Sequence, residues 1–337
     1  MHRCLILGLV VAAAGAAVCR ADTFPNDPYY APYQWYSPVL GLAAAWDITC
    51  GSPAVTVAIL DTGVMVNTPD LAGRLLPPLS ATGSDPLDGT AIHHGTWVAS
   101  VAGMGINNGL GGAGVGNFSI LPVTVTNEAG NNSSDWIAAG IRTAADAGAR
   151  VINVSQGTLN YGLLDAAAGY ARTKGALVFA AAGNSGAPKS MVDYANLVFV
   201  SGTDRDDGLW EGSTYGSFVD LSAPAVDILI ADPTWSSGMG RGTGTSFAAP
   251  LAAGAAGLVW SVAPGLTPEE VLAILYSTAV DLGDPGWDEV FGHGRLDIGA
   301  AVALARDIGG VPEPATFGLL AAGLVLWGAG RRAARPR

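Results

Sequence analysis

Ser246 stands in a segment whose composition suits a reactive hydroxyl group. Glycine and threonine precede it from residue 242, and an Ala-rich apolar run follows from Phe247 to Trp260, which predicts a buried helix. The first N–H groups of a helix lack partners within the helix, and its dipole favours negative charge beside them. A serine that attacks a carbonyl needs such donors, because the tetrahedral intermediate carries an oxyanion. This stretch alone is equally compatible with a simple N-cap serine.

Asp61 and His94 also stand where functional side chains collect. Residues 54–60 form an apolar, β-branched run that predicts a buried parallel strand, and Asp61 follows it. Sites in open α/β sheets form at the carboxyl ends of strands. His94 precedes Trp97–Ala102, a predicted buried helix. Serine, histidine and aspartate can act as nucleophile, base and orienting acid, and the chain order Asp, His, Ser is one of the known orders. Taken singly, Asp61 is equally a turn acid and His94 a surface histidine.

The rest of the chain alternates predicted strands with predicted helices, which indicates an α/β fold with a mostly parallel sheet and helices on both faces. The predicted strands are Ile120–Val125, Val151–Val154, Leu177–Ala181, Leu197–Val200 and Phe218–Leu221, and the predicted helices include Trp136–Ala147, Leu163–Lys174 and one that begins at Thr267. Asp22–Pro38 is rich in aromatic residues and proline, and we expect it to form an extended arm on the domain surface.

Four motifs, in order, resemble those of the subtilases, the subtilisin-like serine peptidases. Ala58–Val64 resembles the aspartate motif, His94–Thr96 the histidine motif and Gly244–Pro250 the serine motif, while Ala180–Gly186 resembles the stretch that carries the oxyanion-hole asparagine. The resemblance extends from about residue 26 to 305. It implies a subtilisin-like three-layer αβα sandwich and hydrolysis of peptide bonds through an acyl-enzyme.

The resemblance also implies a role for each matching residue. Ser246 would attack the carbonyl, His94 would carry the proton, Asp61 would orient His94, and the Asn184 amide would donate to the oxyanion. The substrate-binding residues implied in the same way are Ser155, Gly157, Gly130, Asn131 and Asn132. Among the departures from the family pattern, Trp97 and Leu251 stand where histidines are usual. Neither position performs chemistry, so altered packing is expected there.

Structural calcium is the cofactor that the resemblance implies. Asp70, nine residues after Asp61, matches a family calcium ligand, and Asn107–Gly112 resembles the binding loop with Asn108 as a side-chain ligand. Asp27 matches a ligand of thermitase-like members. Hard oxygen donors from three segments suit calcium. The alternative is that the Asn/Gly stretch is only a loop. No catalytic cofactor is expected.

Both ends of the chain resemble processing segments. Residues 1–21 combine a basic start, an apolar run and small residues, which is typical of a secretory signal peptide. Residues 311–337 contain Pro-Glu-Pro, an apolar run and an arginine cluster, which resembles a PEP-CTERM sorting tail. That resemblance implies an exosortase partner, transient membrane contact and an exported or surface-associated protein. Membrane anchors at either end are the alternatives. The catalytic domain is then residues 22–310.

The charge of the chain limits its partners. The net charge is −12, and removal of both ends takes away six arginines and one glutamate, which leaves −17. A strongly acidic protein is a poor partner for nucleic acid or anionic membranes. Protein or peptide substrates are what the subtilase resemblance implies, and we expect a monomer. Cys50 would be the one cysteine left, which predicts a processed chain without an intramolecular disulfide.

Two other functions remain open from the sequence. One is a catalytically idle subtilase fold that serves as a surface-attached binding module, although its Asp61, His94, Asn184 and Ser246 are all intact. The other is a sedolisin-like peptidase, which has a similar serine motif but uses a glutamate as its base. His94 after Asp61 disfavours that second alternative.

Overall fold

A seven-stranded parallel sheet forms the centre of the protein in the computed structural model, which describes residues 25–83, 92–157 and 160–309. The strand order is β2-β3-β1-β4-β5-β6-β7. The strands are β1 Thr56–Asp61, β2 Leu79–Ser80, β3 Ser119–Thr124, β4 Val151–Val154, β5 Leu177–Ala181, β6 Leu197–Thr203 and β7 Val219–Pro224. Strands β2 and β3 lie on one side of β1, and β4 to β7 lie on the other. The direction of winding therefore changes at β1, and ligand sites in such sheets form at this switch point.

Helices cover both faces of the sheet. They are α1 Tyr30–Tyr33, α2 Tyr36–Val39, α3 Leu42–Trp46, α4 His94–Gly103, α5 Ser134–Asp146, α6 Tyr161–Thr173, α7 Thr245–Val262, α8 Pro268–Thr278 and α9 Ile298–Gly309, with a 3-10 turn at Pro69–Leu71. An antiparallel hairpin joins β8, Ile228–Ala231, to β9, Met239–Gly242.

Alternating side chains of β1 enter the two larger hydrophobic clusters of the core. Val57 and Ile59 lie in the cluster shared with α4 and α7, whereas Ala58 and Leu60 lie in the cluster shared with α5 and α6. Both sets are fully buried, as expected for a parallel strand covered on both faces. The predicted three-layer αβα sandwich with a mostly parallel sheet is therefore confirmed.

Helix α7 runs through the centre of the larger cluster. It is long and apolar enough to cross a membrane, and it is the only such helix among the described residues. Most of it is buried inside the protein, which identifies it as a core helix. The predicted helix began two residues too late and ended two residues too early, because small residues and Pro250 obscure both ends.

The N-terminal segment differs from the predicted extended arm. Its described part forms the short helices α1 and α2, and Tyr30 and Tyr36 are buried in the core cluster. Large aromatic side chains stabilise a fold by burial, and two helical turns bring these rings inward. The hairpin of β8 and β9 was not predicted at all.

Several predictions concern residues outside this description. The signal peptide at 1–21 and the sorting tail at 311–337 both lie outside the described residues. Cys50 is buried and disulfide-bonded in the full-length chain. The prediction of no intramolecular disulfide concerned the chain after removal of both ends, and it stays a prediction.

Candidate active site

Asp61 and His94 form a close pair at the carboxyl end of β1. The Asp61 side chain is fully buried, and His94 Nδ1 lies 2.8 Å from its Oδ1 and 2.9 Å from its Oδ2. The Thr62 N–H also donates to Oδ1 at 2.8 Å. A buried carboxylate against Nδ1 favours the tautomer with the proton on that nitrogen. The other nitrogen, Nε2, is then the one available to act as a base.

Gly95 allows the start of α4 to approach β1 this closely. A Cβ at this position would lie 2.0 Å from the Gly63 carbonyl oxygen and 3.0 Å from Asp61 Cβ. The Gly95 N–H donates to Thr62 Oγ1 at 2.9 Å. Any larger residue would therefore push His94 away from Asp61, which explains why glycine follows the histidine.

Ser246 lies in the first turn of α7 and is partly exposed. Its backbone is held by an unusual partner, because Pro250 has no N–H to donate to the Ser246 carbonyl four residues earlier. The Ser155 hydroxyl donates to that carbonyl instead, at 2.8 Å, and Ser246 Oγ lies 3.4 Å from the Ser155 carbonyl oxygen. The end of β4 thus fixes the start of α7.

The starts of α4 and α7 adjoin each other. The His94 ring centroid lies 6.1 Å from that of Phe247, the residue after Ser246. The His94 side chain is 22% exposed, so it reaches the surface at this junction. Asp61, His94 and Ser246 are therefore brought to one edge of the sheet from three separate elements.

Asn184 follows β5 and is exposed beside the start of α7. Its Oδ1 accepts hydrogen bonds from the Thr245 N–H at 2.9 Å and from the Thr245 hydroxyl at 2.8 Å. These bonds occupy the oxygen and leave the amide NH₂ as the free end of the group. A donor held in this way beside Ser246 suits stabilisation of an oxyanion.

A cleft of about 380 Å³ opens at this edge of the sheet. It is lined by Thr62, Ile92, His94, Glu128, Ala129, Gly130, Ser155 and Gln156. Of the predicted substrate-binding residues, Gly130 and Ser155 line the cleft directly. Gly157 is exposed next to it, and the Asn131 backbone is used within its own loop, where it both donates to and accepts from Asn127. Asn132 reaches the cleft through a hydrogen bond to Gln156.

Gln156 is a site residue that the sequence reasoning missed. Its Nε2 donates to Asp61 Oδ1 at 2.8 Å. The sequence places it between Ser155 and Gly157 in a stretch already assigned to the cleft. A long polar side chain two residues after a buried strand was the signal available, but a side-chain direction cannot be derived from spacing alone.

Trp97 packs beside His94. Their ring centroids are 6.1 Å apart, and Trp97 also lies 5.9 Å from Trp235. Its Nε1 donates to Asp232 Oδ2 at 2.7 Å. Although burial disfavours the charged form, hydrogen bonds from Thr234 and Trp97 lower the pKa of Asp232. The other departure, Leu251, is buried in the core of α7.

The three predicted calcium ligands meet in a second cluster, at the N-terminal arm. Asp27 accepts backbone N–H bonds from Asn107 at 2.8 Å, Asn108 at 3.0 Å and Gly109 at 3.1 Å. Asp70 accepts from Asn108 Nδ2 at 2.8 Å. Both carboxylates are buried. Burial raises the pKa of Asp70 to about 6, against opposing hydrogen bonds from Asn108 and Gly112.

The side chains of this cluster are of the types that bind calcium, but the Asn108 amide turns its nitrogen, and not its oxygen, toward Asp70. Two buried carboxylates and an amide are hard oxygen donors, and Asp27 adds repulsion that a cation would relieve. The Asn108 oxygen, however, accepts from the Leu110 N–H at 2.8 Å, and its nitrogen faces Asp70. A half-turn of that amide exchanges its nitrogen and oxygen. Among the described residues, no three His, Cys, Asp or Glu side chains form a metal-binding group.

Comparison with known proteins agrees with this arrangement. The Subtilase family (Peptidase_S8) matches residues 52–294. Thermitase of Thermoactinomyces vulgaris is 39% identical over 282 residues, which are 82% of this chain and 99% of thermitase. A thermophilic serine proteinase of Bacillus sp. (strain AK1) is 36% identical over 279 residues, 81% of this chain and 68% of that protein.

Solved structures show the same likeness. A protease from Pseudoalteromonas arctica PAMC 21717 superposes with a TM-score of 0.73 at 31% identity, and the match covers 84% of this chain and all of that one. A lanthipeptide protease has the same TM-score at 23% identity and supports the fold alone. From the extent of these matches, the chain belongs to the subtilase family and is a serine endopeptidase.

Proposed function

We propose that this protein is an exported endopeptidase that cuts peptide bonds by acyl transfer through Ser246, with His94 as base and Asp61 as its orienting acid. The observation that carries the proposal is the placement of His94 Nδ1 against both oxygens of the buried Asp61 carboxylate. With Nδ1 held by Asp61, Nε2 is the nitrogen proposed to act as the base for Ser246, which lies in the first turn of α7. A glutamate base, as in a sedolisin-like peptidase, is not needed to explain the geometry.

The reaction follows from these positions. Ser246 Oγ attacks the scissile carbonyl carbon while its proton passes to His94 Nε2, and the imidazolium is stabilised by Asp61. The proton then goes to the leaving amine as the C–N bond breaks, which leaves an ester on Ser246. Water attacks that ester with His94 again as base, and the proton returns to Ser246 Oγ as the acid product leaves.

The oxyanion has two donors in this proposal. The Ser246 N–H lies in the first turn of α7, where N–H groups have no partner within the helix. The Asn184 NH₂ is the second donor, and Thr245 holds its orientation. Donors that are fixed before the reaction need no reorganisation when the charge develops.

The cleft beside His94 is proposed to hold the acyl side of a polypeptide substrate. Gly130 and Ser155 line it, and Asn131, Asn132 and Gly157 border it. Protein or peptide substrates follow from the family, while the monomeric state remains a prediction from the sequence. Nucleic acid is not expected to bind, because the processed chain is strongly acidic.

Export is supported by the apolar N-terminal segment and by a relative. The halolysin-like extracellular serine protease Nep of Natrialba magadii is 35% identical over 297 residues, 85% of this chain and 54% of that protein. We propose removal of residues 1–21 as a signal peptide and processing of residues 311–337 by an exosortase after transient membrane contact. Mass spectrometry of the secreted protein should find termini near residues 22 and 310.

Calcium is proposed as a structural ion at the arm cluster. Asp27, Asp70 and Asn108 would hold it, and it would neutralise the two buried carboxylates. Because Asp27 belongs to the arm and Asp70 follows β1, such an ion would fasten the arm to the domain. Chelation should therefore lower the melting temperature, and equal melting curves with calcium and with chelator would reject this part.

A fluorophosphonate probe tests the central proposal. Such a probe labels an activated serine, so the wild-type protein should be labelled and Ser246→Ala should not. The variant should also lose peptidase activity by on the order of 10⁶-fold, the value for triad removal in subtilisin itself. A catalytically idle binding module would instead show no labelling of the folded wild-type protein.

A further inference from the structure

Gln156 makes a direct contact with the buried acid of the triad. Its Nε2 donates to Asp61 Oδ1 at 2.8 Å and lies 3.5 Å from His94 Nδ1. The same oxygen accepts from the Thr62 N–H. A hydrogen bond to a carboxylate is stronger than one between neutral groups, so this contact both fixes the carboxylate plane and takes up part of its negative charge.

The opposite end of the Gln156 amide is held as well. Its Oε1 accepts from Asn132 Nδ2 at 2.9 Å. Asn132 forms an antiparallel bridge with Thr126 and belongs to the loop whose neighbour Gly130 lines the cleft. A continuous path of hydrogen bonds therefore leads from the wall of the cleft through Gln156 to Asp61 and His94.

We propose that Gln156 is a positioning residue that fixes the Asp61 carboxylate and connects the Asn132 segment of the cleft to the catalytic pair. The inference rests on the proposed function of Asp61, His94 and Ser246. Gln156 acts through Asp61: it holds the plane that His94 faces and limits the negative charge that His94 experiences. Asn132 keeps the amide of Gln156 in the orientation with its NH₂ toward the carboxylate.

Other charges also act on His94 and must be kept constant in any test. From β1 it faces Asp61, and from the loop before α5 Glu128 lines the same cleft. Asp232, after β8, accepts a hydrogen bond from Trp97, which packs beside His94. His93 is the residue before His94 in the chain. Only variants that leave these four groups unchanged isolate the effect of Gln156.

The test compares Gln156→Leu and Gln156→Glu with the wild-type protein, using kcat/KM against pH per titrated active site. Gln156→Leu removes the donor to Asp61, so Asp61 should stabilise the His94 imidazolium more strongly. The acid limb of the kcat/KM profile should therefore shift to higher pH by about half a unit. Glu adds a second negative charge, for which a shift of about one pH unit or more is expected. We also expect the plateau kcat of Gln156→Leu to fall by up to about tenfold with little change in KM, since an ionic hydrogen bond is lost.

The Asn132 link is tested by a double-mutant cycle. Asn132→Leu should produce part of the Gln156→Leu shift of the acid limb, and the double variant should shift no further than Gln156→Leu alone, because both act along one path. If Gln156 had only a structural role, its variants would lower the melting temperature and the fraction of titratable active sites. The pH of the acid limb would then not increase in the order wild type, Gln156→Leu, Gln156→Glu.

Two outcomes would overturn the inference while leaving the proposed function intact. One is a wild-type profile for both Gln156 variants in a protein that still labels with fluorophosphonate. The other is full additivity of the Asn132 and Gln156 shifts. Failure of the wild-type protein itself to label would instead reject the proposed function, so the two results are distinguishable.

Discussion

Asp61 and Asp70 are two buried aspartates, nine residues apart, with opposite surroundings. Asp61 faces an imidazole, a glutamine NH₂ and one backbone N–H. Asp70 faces the Asn108 amide and two backbone N–H groups, and Asp27 lies close enough to repel its charge. The Asp61 carboxylate has a hydrogen-bond partner that can become a cation during a reaction. The Asp70 carboxylate accepts hydrogen bonds from neutral donors, and its charged neighbours are Asp27 and Arg74.

The difference indicates that burial alone does not suit an acid to catalysis. A buried carboxylate beside a histidine can stabilise charge that appears during a reaction. A buried carboxylate beside neutral amides and a second acid instead resists ionisation, and burial raises the pKa of Asp70 to about 6. We therefore expect substitutions at Asp61 to change turnover and substitutions at Asp70 to change stability.

The largest expected effect contrasts Asp61→Asn with Asp70→Asn. Asp61→Asn keeps the shape but removes the charge and favours the wrong His94 tautomer, so turnover should fall by on the order of 10⁴-fold, as in other triads. Asp70→Asn should keep turnover per titrated active site within about twofold. Both are measured with active-site titration. Comparable losses in the two variants would contradict the division between a catalytic and a structural acid.

Asn184→Leu gives the next largest effect. The substitution removes the NH₂ donor and roughly keeps the volume, so kcat should fall by about 10²–10³-fold, the range measured for an oxyanion-hole asparagine in subtilisin. KM should change little, because the donor acts on charge that develops only in the transition state. Wild-type turnover together with a lower melting temperature would show that Asn184 only supports the Thr245 turn.

Asp70 should make stability without calcium depend on pH. Its pKa is about 6 in the folded protein and near 3.9 when unfolded, so the folded state holds more protons between those values. Its contribution to stability is present below about pH 4 and is lost as pH rises through about 6, by up to about 3 kcal/mol.

Bound calcium should remove this loss by keeping Asp70 ionised and paired. Chemical unfolding at pH 4.5 and 7, with calcium and with chelator, measures the effect. Burial also raises the pKa of Asp220 to about 8, so Asp220 too makes the protein less stable as the pH rises. Asp70→Asn is therefore the reference, because it retains the Asp220 contribution. An equal pH trend in wild type and variant would contradict the assignment.

The elements that hold Asp61, His94 and Ser246 were predicted well from the sequence because their constraints are local. Asp61 ends an apolar strand, Ser246 begins an apolar helix, and Gly95 must be small, so the positions follow from pattern and motif. Strands Val151–Val154 and Leu177–Ala181 were predicted with their observed bounds, since fully buried parallel strands read as continuous apolar runs.

The missed features depend on contacts between distant residues. Gln156 points at Asp61 across 95 positions of sequence, and no local pattern fixes that direction. The arm forms α1 and α2 because Tyr30 and Tyr36 find a core to enter, which its own composition does not reveal. The hairpin of β8 and β9 is short, and its last strand, Met239–Gly242, contains two glycines, so strand propensity is weak there.

Glu128 offers the smallest effect and extends the comparison to an exposed acid. It lines the cleft beside His94 and is exposed, so its charge can meet a substrate directly. Exposed ion pairs are weak, and Glu128→Gln should therefore reduce the preference for Lys over Leu on the acyl side by about two- to fivefold. Paired fluorogenic peptides that differ only in Lys or Leu, two to four residues before the cleaved bond, measure this ratio.

The matched control for Glu128→Gln is Asp135→Asn. Asp135 is an exposed acid in the first turn of α5 and does not line the cleft, so its removal changes the net charge equally without touching the substrate. The Lys preference of the wild-type protein should also weaken in high salt, because exposed charges are screened. If both variants lowered the ratio by the same factor, the preference would come from the overall acidic charge of the protein, and Glu128 would have no specific role.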